Sequence, residues 1–163
     1  MASTYEKIAT NTLGSAAATV TFSTISGAYT DLVFIIAAGN STTASDQIRA
    51  QFNSDTGSNY SFTQIVGNGS TATSGRSSNS TAMRFGFCSN NTETNAIIQI
   101  QNYSNTTTYK SSLARINNPN VNLYAVVNLW RNTSAITNIS LFMESGGNFN
   151  SGSTFTLYGI KAA

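Results

Sequence analysis

The chain has 163 residues, long enough for one domain to bury a core without disulfides or metals. Only 9% of its residues are charged, against about 25% in an average soluble domain, while Ser, Thr and Asn make up roughly two-fifths of it. A net charge of +2, with basic residues dispersed from Lys7 to Lys161, leaves no electrostatic footprint for a phosphate backbone, and no apolar run reaches the length of a membrane span. Nucleic acid and membrane are therefore not expected partners.

In chain order, the N-terminal stretch comes first. Met1 to Ala16 is weakly patterned and is read as an arm that docks elsewhere, leaving 17–163 as one β-sandwich domain. It shows no basic region followed by an apolar stretch, so no signal peptide is expected. From Thr19 onward the pattern is alternation, the mark of strands whose side chains point to opposite faces. Val20 and Phe22 share one face. Leu32 to Ala37 is apolar throughout, which reads as a central strand covered on both faces, or with one face buried in an oligomer. Ile48, Ala50 and Phe52 alternate with Arg49 and Gln51, although a short helix over Asp46 to Phe52 competes. Tyr60 and Phe62 open a further strand that runs towards Val66.

Gly67 to Ser80 holds no large apolar residue and is expected to be a flexible tip or a segment ordered by a partner. Met83, Phe85 and Phe87 then alternate with Arg84, Gly86 and Cys88, which places Cys88 opposite the phenylalanines. Ile98 and Ile100 mark the next strand. Leu113 and Arg115 mark a weaker one before the turn cluster Asn117-Asn118-Pro119-Asn120. Leu123, Ala125, Val127 and Leu129 oppose Tyr124, Val126, Asn128 and Trp130. Ile139, Leu141 and Met143 follow, and Phe155, Leu157 and Gly159 close the chain. Nine or ten short strands with Gly, Ser and Asn turns imply an all-β sandwich or barrel, and two sheets in jelly-roll order would absorb this many strands, so a jelly-roll-like β-sandwich is expected.

The residues that could carry chemistry are few. There is no histidine, which removes Ser-His-Asp and Cys-His arrangements and histidine-based zinc sites. The single Cys88 forms no intrachain disulfide, fits a reducing cytoplasm and is read as a packing residue. The carboxylates are Glu6, Asp31, Asp46, Asp55, Glu93 and Glu144. No local pattern pairs two of them as glycoside hydrolysis requires. Asp55-Thr56-Gly57 matches the aspartic-protease tripeptide, but its neighbours are polar and it reads as a turn. Asn53, Asp55, Gly57 and Asn59 faintly echo a calcium loop, without the carboxylates such a loop collects. No catalytic, cofactor-binding or metal-binding residue is assigned, and no enzyme activity is expected. Tyr103, Tyr109, Tyr124 and Trp130 could stack on sugars, or fill a core or subunit interface. Nine Asn-x-Ser/Thr sequons follow from composition, and no glycosylation is expected at them.

Four stretches together resemble small virion proteins of tailed bacteriophages, including phages of cyanobacteria. They are Tyr5-Glu6-Lys7-Ile8-Ala9, Ala28-Tyr29-Thr30-Asp31-Leu32-Val33, the turn from Phe52 to Ser61, and Gly152 to Ile160. The resemblance implies a β-sandwich on the particle: a capsid decoration (cement) protein, a head fibre or a tail-associated protein. It brings no active-site residues. It implies a homo-oligomer, a trimer by analogy, that contacts the major capsid protein or other virion proteins after assembly in the host cytoplasm. The strand Leu32 to Ala37 and the N-terminal arm are the sequence's candidates for those contacts. A receptor- or glycan-binding module of a fibre is the alternative, using the Gly67–Ser80 segment and exposed tyrosines.

Overall fold

The computed structural model describes residues 4–41, 45–90, 93–118 and 122–161. These residues form strands and turns, with no helix among them. In chain order the strands are β1 (Tyr5–Thr12), β2 (Thr19–Phe22), β3 (Asp31–Ala38), β4 (Ser45–Phe52), β5 (Tyr60–Gly67) and β6 (Ala72–Ser80). Then come β7 (Met83–Ser89), β8 (Thr94–Gln101), β9 (Lys110–Asn118), β10 (Asn122–Trp130), β11 (Ile139–Met143) and β12 (Thr154–Ile160). Pro119 and Asn120 of the expected turn cluster, and the first three residues of the expected arm, lie outside the described residues.

Eight strands follow a nested plan. β1 pairs with β12, β2 with β11, β3 with β8 and β4 with β7, all antiparallel. Pairing of β12 with β3 and of β11 with β4 then sets two four-stranded layers, β1-β12-β3-β8 and β2-β11-β4-β7. This is the strand order of a jelly roll. The other four strands are two hairpins inserted into that plan, β5–β6 after β4 and β9–β10 after β8. β9 pairs with β8, and β10 pairs with β5. The hairpins thereby extend one layer into an eight-stranded sheet, β1-β12-β3-β8-β9-β10-β5-β6. We call the added strands β9, β10, β5 and β6 the platform.

The core lies between the two layers. Alternation places Leu32, Phe34 and Ile36 of β3, Ile98 and Ile100 of β8, and Phe155 and Leu157 of β12 on the inner face, all fully buried. Val20, Ile48, Ala50, Phe52, Ile139 and Leu141 meet them from the small sheet. Each large side chain so buried contributes about 1.5–3 kcal/mol relative to exposure. Residues 46–52, where a helix competed, are part of strand β4 because its alternate apolar residues have this core to face.

Four expectations change. The described residues form twelve strands, two more than the upper expectation. Residues 5–12 are not a docking arm but the edge strand β1, held along its length by β12 and irregular between Lys7 and Ala9. An edge strand has one neighbour and two partly solvated faces, so it needs little apolar periodicity. Likewise, much of the expected flexible tip at 67–80 is strand β6, ordered by backbone pairing to β5 with almost no side-chain burial.

The fourth change concerns Cys88. Ile48 pairs with Gly86 and Arg49 with Arg84, so Phe85 is an extra residue on β7. Such a bulge reverses the alternation beyond it. Phe85 and Cys88 therefore both enter the core, and Phe87 turns the other way towards Tyr124, with ring centroids 5.7 Å apart. Gly86 permits this with a φ of +145°; a Cβ there would lie 2.2 Å from Ile116 Cγ2.

Candidate docking face

The platform has an unusual polarity. Its inner face, covered by β7 of the small sheet, carries Lys110, Ser112, Asn118, Tyr124, Asn128 and Trp130, all buried. These groups are placed by alternation on β9 and β10, and all are satisfied locally except the Asn118 amide, which has no hydrogen-bond partner among the described residues. Asn128 accepts the Arg84 N–H at 2.9 Å and donates to Ser112 Oγ at 3.3 Å. The Lys110 ammonium donates to the carbonyls of Thr108 at 2.7 Å and Thr133 at 3.0 Å, and burial pulls its pKa below the usual lysine range. The Arg84 guanidinium lies over the rings of Phe62 and Phe87, at 5.1 and 5.5 Å.

Where the platform meets the jelly roll, the Asp55 turn locks an aromatic cluster. Trp130 stacks on Tyr60 at 6.2 Å, and Phe52 meets both edge-on. The indole N–H of Trp130 donates to Asp55 Oδ2 at 2.7 Å. Tyr60 accepts the Phe52 N–H and donates to the Asp55 carbonyl. Burial raises the Asp55 pKa, but hydrogen bonds from Trp130, Asn59 and the Gly57 N–H outweigh it and hold the carboxyl below its usual range. Asp55 is thus an anchor with both oxygens engaged. Its neighbour Asn59 presents amide nitrogen to it, and Asn53 Oδ1 accepts from the N–H groups of Thr137 and Asn138, so these oxygens do not converge on one point.

The remaining carboxylates are dispersed. Glu6 pairs with Lys161 at 2.8 Å and Glu144 with Arg49. Asp31 accepts the Asn102 N–H at 2.8 Å. Asp46 is buried and accepts N–H groups of Gln47, Ser145 and Gly147. Glu93 lines an open depression beside Asn90 and Asn150. Burial pushes the Cys88 thiol up to about 12. Of the four aromatic residues that could stack on sugars, Tyr103, Tyr124 and Trp130 are buried, and only Tyr109 is exposed.

The outer face of the platform is where aliphatic side chains meet solvent. With the polar set turned inward, Leu113, Leu123, Ala125, Val127 and Ile65 must turn outward. Leu123 is 60% exposed, Ile65 59% and Val127 54%. Register makes them neighbours. Ile35, Ile97, Arg115, Ala125, Ile65 and Ser74 form one row across six strands. Gln99, Leu113, Val127, Thr63 and Arg76 form the next. Gathered on one face, these exposed aliphatic side chains form the kind of patch that marks an interaction surface. The outer face of the small sheet has the opposite character, with Thr21 bonded to Ser140 at 3.1 Å and Arg49 paired to Glu144.

Two depressions lie within this face. One, of about 210 Å³, is lined by Ile97, Leu123 and Arg115 with Asn95 and Asn117. The other, of about 320 Å³, lies beside Arg76, Val127, Leu129 and Thr63. The β3 strand contributes Ile35 to the face, in line with its apolar run. Sequence reasoning singled out β3 and the N-terminal stretch as candidates for contacts and did not single out the exposed aliphatic row of β10, whose signal was Leu123, Ala125 and Val127 taken together with polar Asn128 on the facing side. No protein-family model, no characterised protein sequence and no solved structure matches the chain.

Proposed function

We propose that this chain is a virion structural protein, most simply a capsid decoration (cement) protein that stabilises a phage head by packing on shell subunits. The observation that carries the reading is the exposed aliphatic face of the platform, mounted on a rigid jelly roll. A cement protein works mechanically: it buries apolar surface against its neighbours, and many copies add avidity. The nearly uncharged surface supports the same reading, because repulsion between crowded copies is small. So do the stretches that resemble phage virion proteins, which lie in β1, before and within β3, in the Asp55 turn and in β12. The partners under this reading are shell subunits and further copies of the chain, with a trimer the expected oligomer. A glycan-binding fibre module has less support, since three of its four aromatic candidates fill the core. Immunogold labelling and density maps of intact particles test the proposal. Regularly repeated copies on the head are the expected result, and absence from purified virions overturns it.

A further inference from the structure

The composition of the docking face selects its partner. Strands β5, β6, β8, β9 and β10 contain no aspartate or glutamate. Their outward positions hold Arg115, beside the largely apolar depression of Ile97 and Leu123, and Arg76, beside a mixed depression in which Val127 and Leu129 meet Thr63 and serines, and neither makes an ion pair among the described residues. Arg115 sits in the middle of the apolar row, between Ile97 and Ala125. Two copies packed face to face through this surface would bury like charges with no counter-charge, which is strongly unfavourable. A head-to-tail contact in a ring would need carboxylates from elsewhere on the chain, where Glu6 and Glu144 are in ion pairs and Asp31, Asp46 and Asp55 accept N–H groups. A surface with carboxylates would instead form charge-assisted, bidentate bonds to each guanidinium while its aliphatic groups cover the valine and leucines.

We infer that the outer face of the platform is a heterologous docking site for a protein surface presenting aliphatic side chains and carboxylates, and is not the contact between copies of this chain. Resting on the virion reading above, this assigns the face to the shell and leaves oligomer contacts to the rest of the molecule. Any tenfold loss of affinity from one arginine corresponds to about 1.4 kcal/mol.

The test uses purified particles assembled without this protein, to which the full chain is added and bound copies are counted after sedimentation. Arg115→Glu and Leu123→Asp are each expected to lower affinity at least tenfold, and Arg76→Glu to lower it less. Thr19→Glu, on the outer face of the small sheet, is expected to bind as the parent does. Particles whose carboxylates have been amidated are expected to take up fewer parent copies. Unchanged melting temperatures establish that the variants are folded; should Leu123→Asp melt early, Val127→Asp replaces it. Sedimentation mass of the free protein is expected to be the same for parent and variants. Parent binding with no loss in either Arg115→Glu or Leu123→Asp overturns the docking face while leaving the virion reading intact. A drop in oligomer mass in Leu123→Asp overturns it in favour of a copy–copy interface, and undiminished uptake by amidated particles overturns the acidic partner. A parent protein that is absent from virions and does not bind particles overturns both readings.

Discussion

The two halves of the large sheet solve the same problem with different inner faces. In the jelly-roll half, β1-β12-β3-β8, the inner face is almost wholly aliphatic and aromatic, and the outward positions change from Thr154, Thr156, Tyr158 and Ile160 on β12 to Ile35 on β3 and Ile97 on β8 as the sheet approaches the platform. In the platform half, the buried face includes a lysine, two asparagines and a serine beside Tyr124 and Trp130, and the outward face carries Leu113, Leu123 and Val127. The first half has a full second sheet against it. The second has mainly β7 and the segment after Trp130, which offer carbonyls and aromatic faces as well as apolar groups. Most polar side chains buried there find a partner, the Asn118 amide being the exception, and the aliphatic residues of these strands are left on the outer face. One sheet thus serves as core wall at one end and, under the docking proposal, as contact surface at the other.

That contrast can be broken at its seam. Trp130→Ala removes the ring that stacks on Tyr60 and the donor to Asp55, and is expected to cost about 4 kcal/mol in urea unfolding. A loss below 1 kcal/mol would mean the platform is not locked to the jelly roll through this cluster. Gly86→Ala forces a Cβ into Ile116 and Tyr124 at a backbone angle that L-residues avoid. It is expected to cost about 3 kcal/mol, read as a lowered urea midpoint.

Adjacent valines sharpen the comparison further. Val126 is fully buried and Val127 is 54% exposed, though they are neighbours on β10. Val126→Ala is expected to destabilise by about 2 kcal/mol, and Val127→Ala to stay within about 0.5 kcal/mol. Equal effects would show that the two faces are not distinct. A loss smaller than that of Val126→Ala is expected at Asp55. Its folded pKa lies below the unfolded value, so its contribution is whole above the ordinary carboxylate range near pH 4 and is lost as the pH falls through the folded pKa. Asp55→Ala is expected to cost about 1 kcal/mol at pH 7, after allowance for its partial exposure, and to narrow its difference from the parent under acid. A difference constant between pH 2 and 7 would show that the carboxylate charge plays no part in holding the turn.

Much of this architecture is legible in the residues. Alternation at Val20 and Phe22, at Ile48, Ala50 and Phe52, and at Ile139, Leu141 and Met143 follows from the period of a strand, and these residues are core in the structure. The apolar run of β3 lies centrally, between β12 and β8. The all-β sandwich class follows from the number of such segments and the turn residues between them. The strands that escaped detection, β1 and β6, are edges whose order comes from backbone hydrogen bonds to one neighbour, and backbone pairing leaves no mark in side-chain pattern.

By itself, then, the sequence determined the class of fold and the two alternating sets on each strand, because period-2 alternation is local. Only the tertiary structure decided which set is buried. On β10 the choice lay between Leu123, Ala125 and Val127 and Tyr124, Val126, Asn128 and Trp130. It was settled by distant residues: Asp55, which receives the indole, Arg84, whose N–H meets Asn128, and Phe87, which packs on Tyr124. A side chain's alternation is written in its neighbours along the chain, but the side it turns to depends on what the rest of the chain brings to meet it.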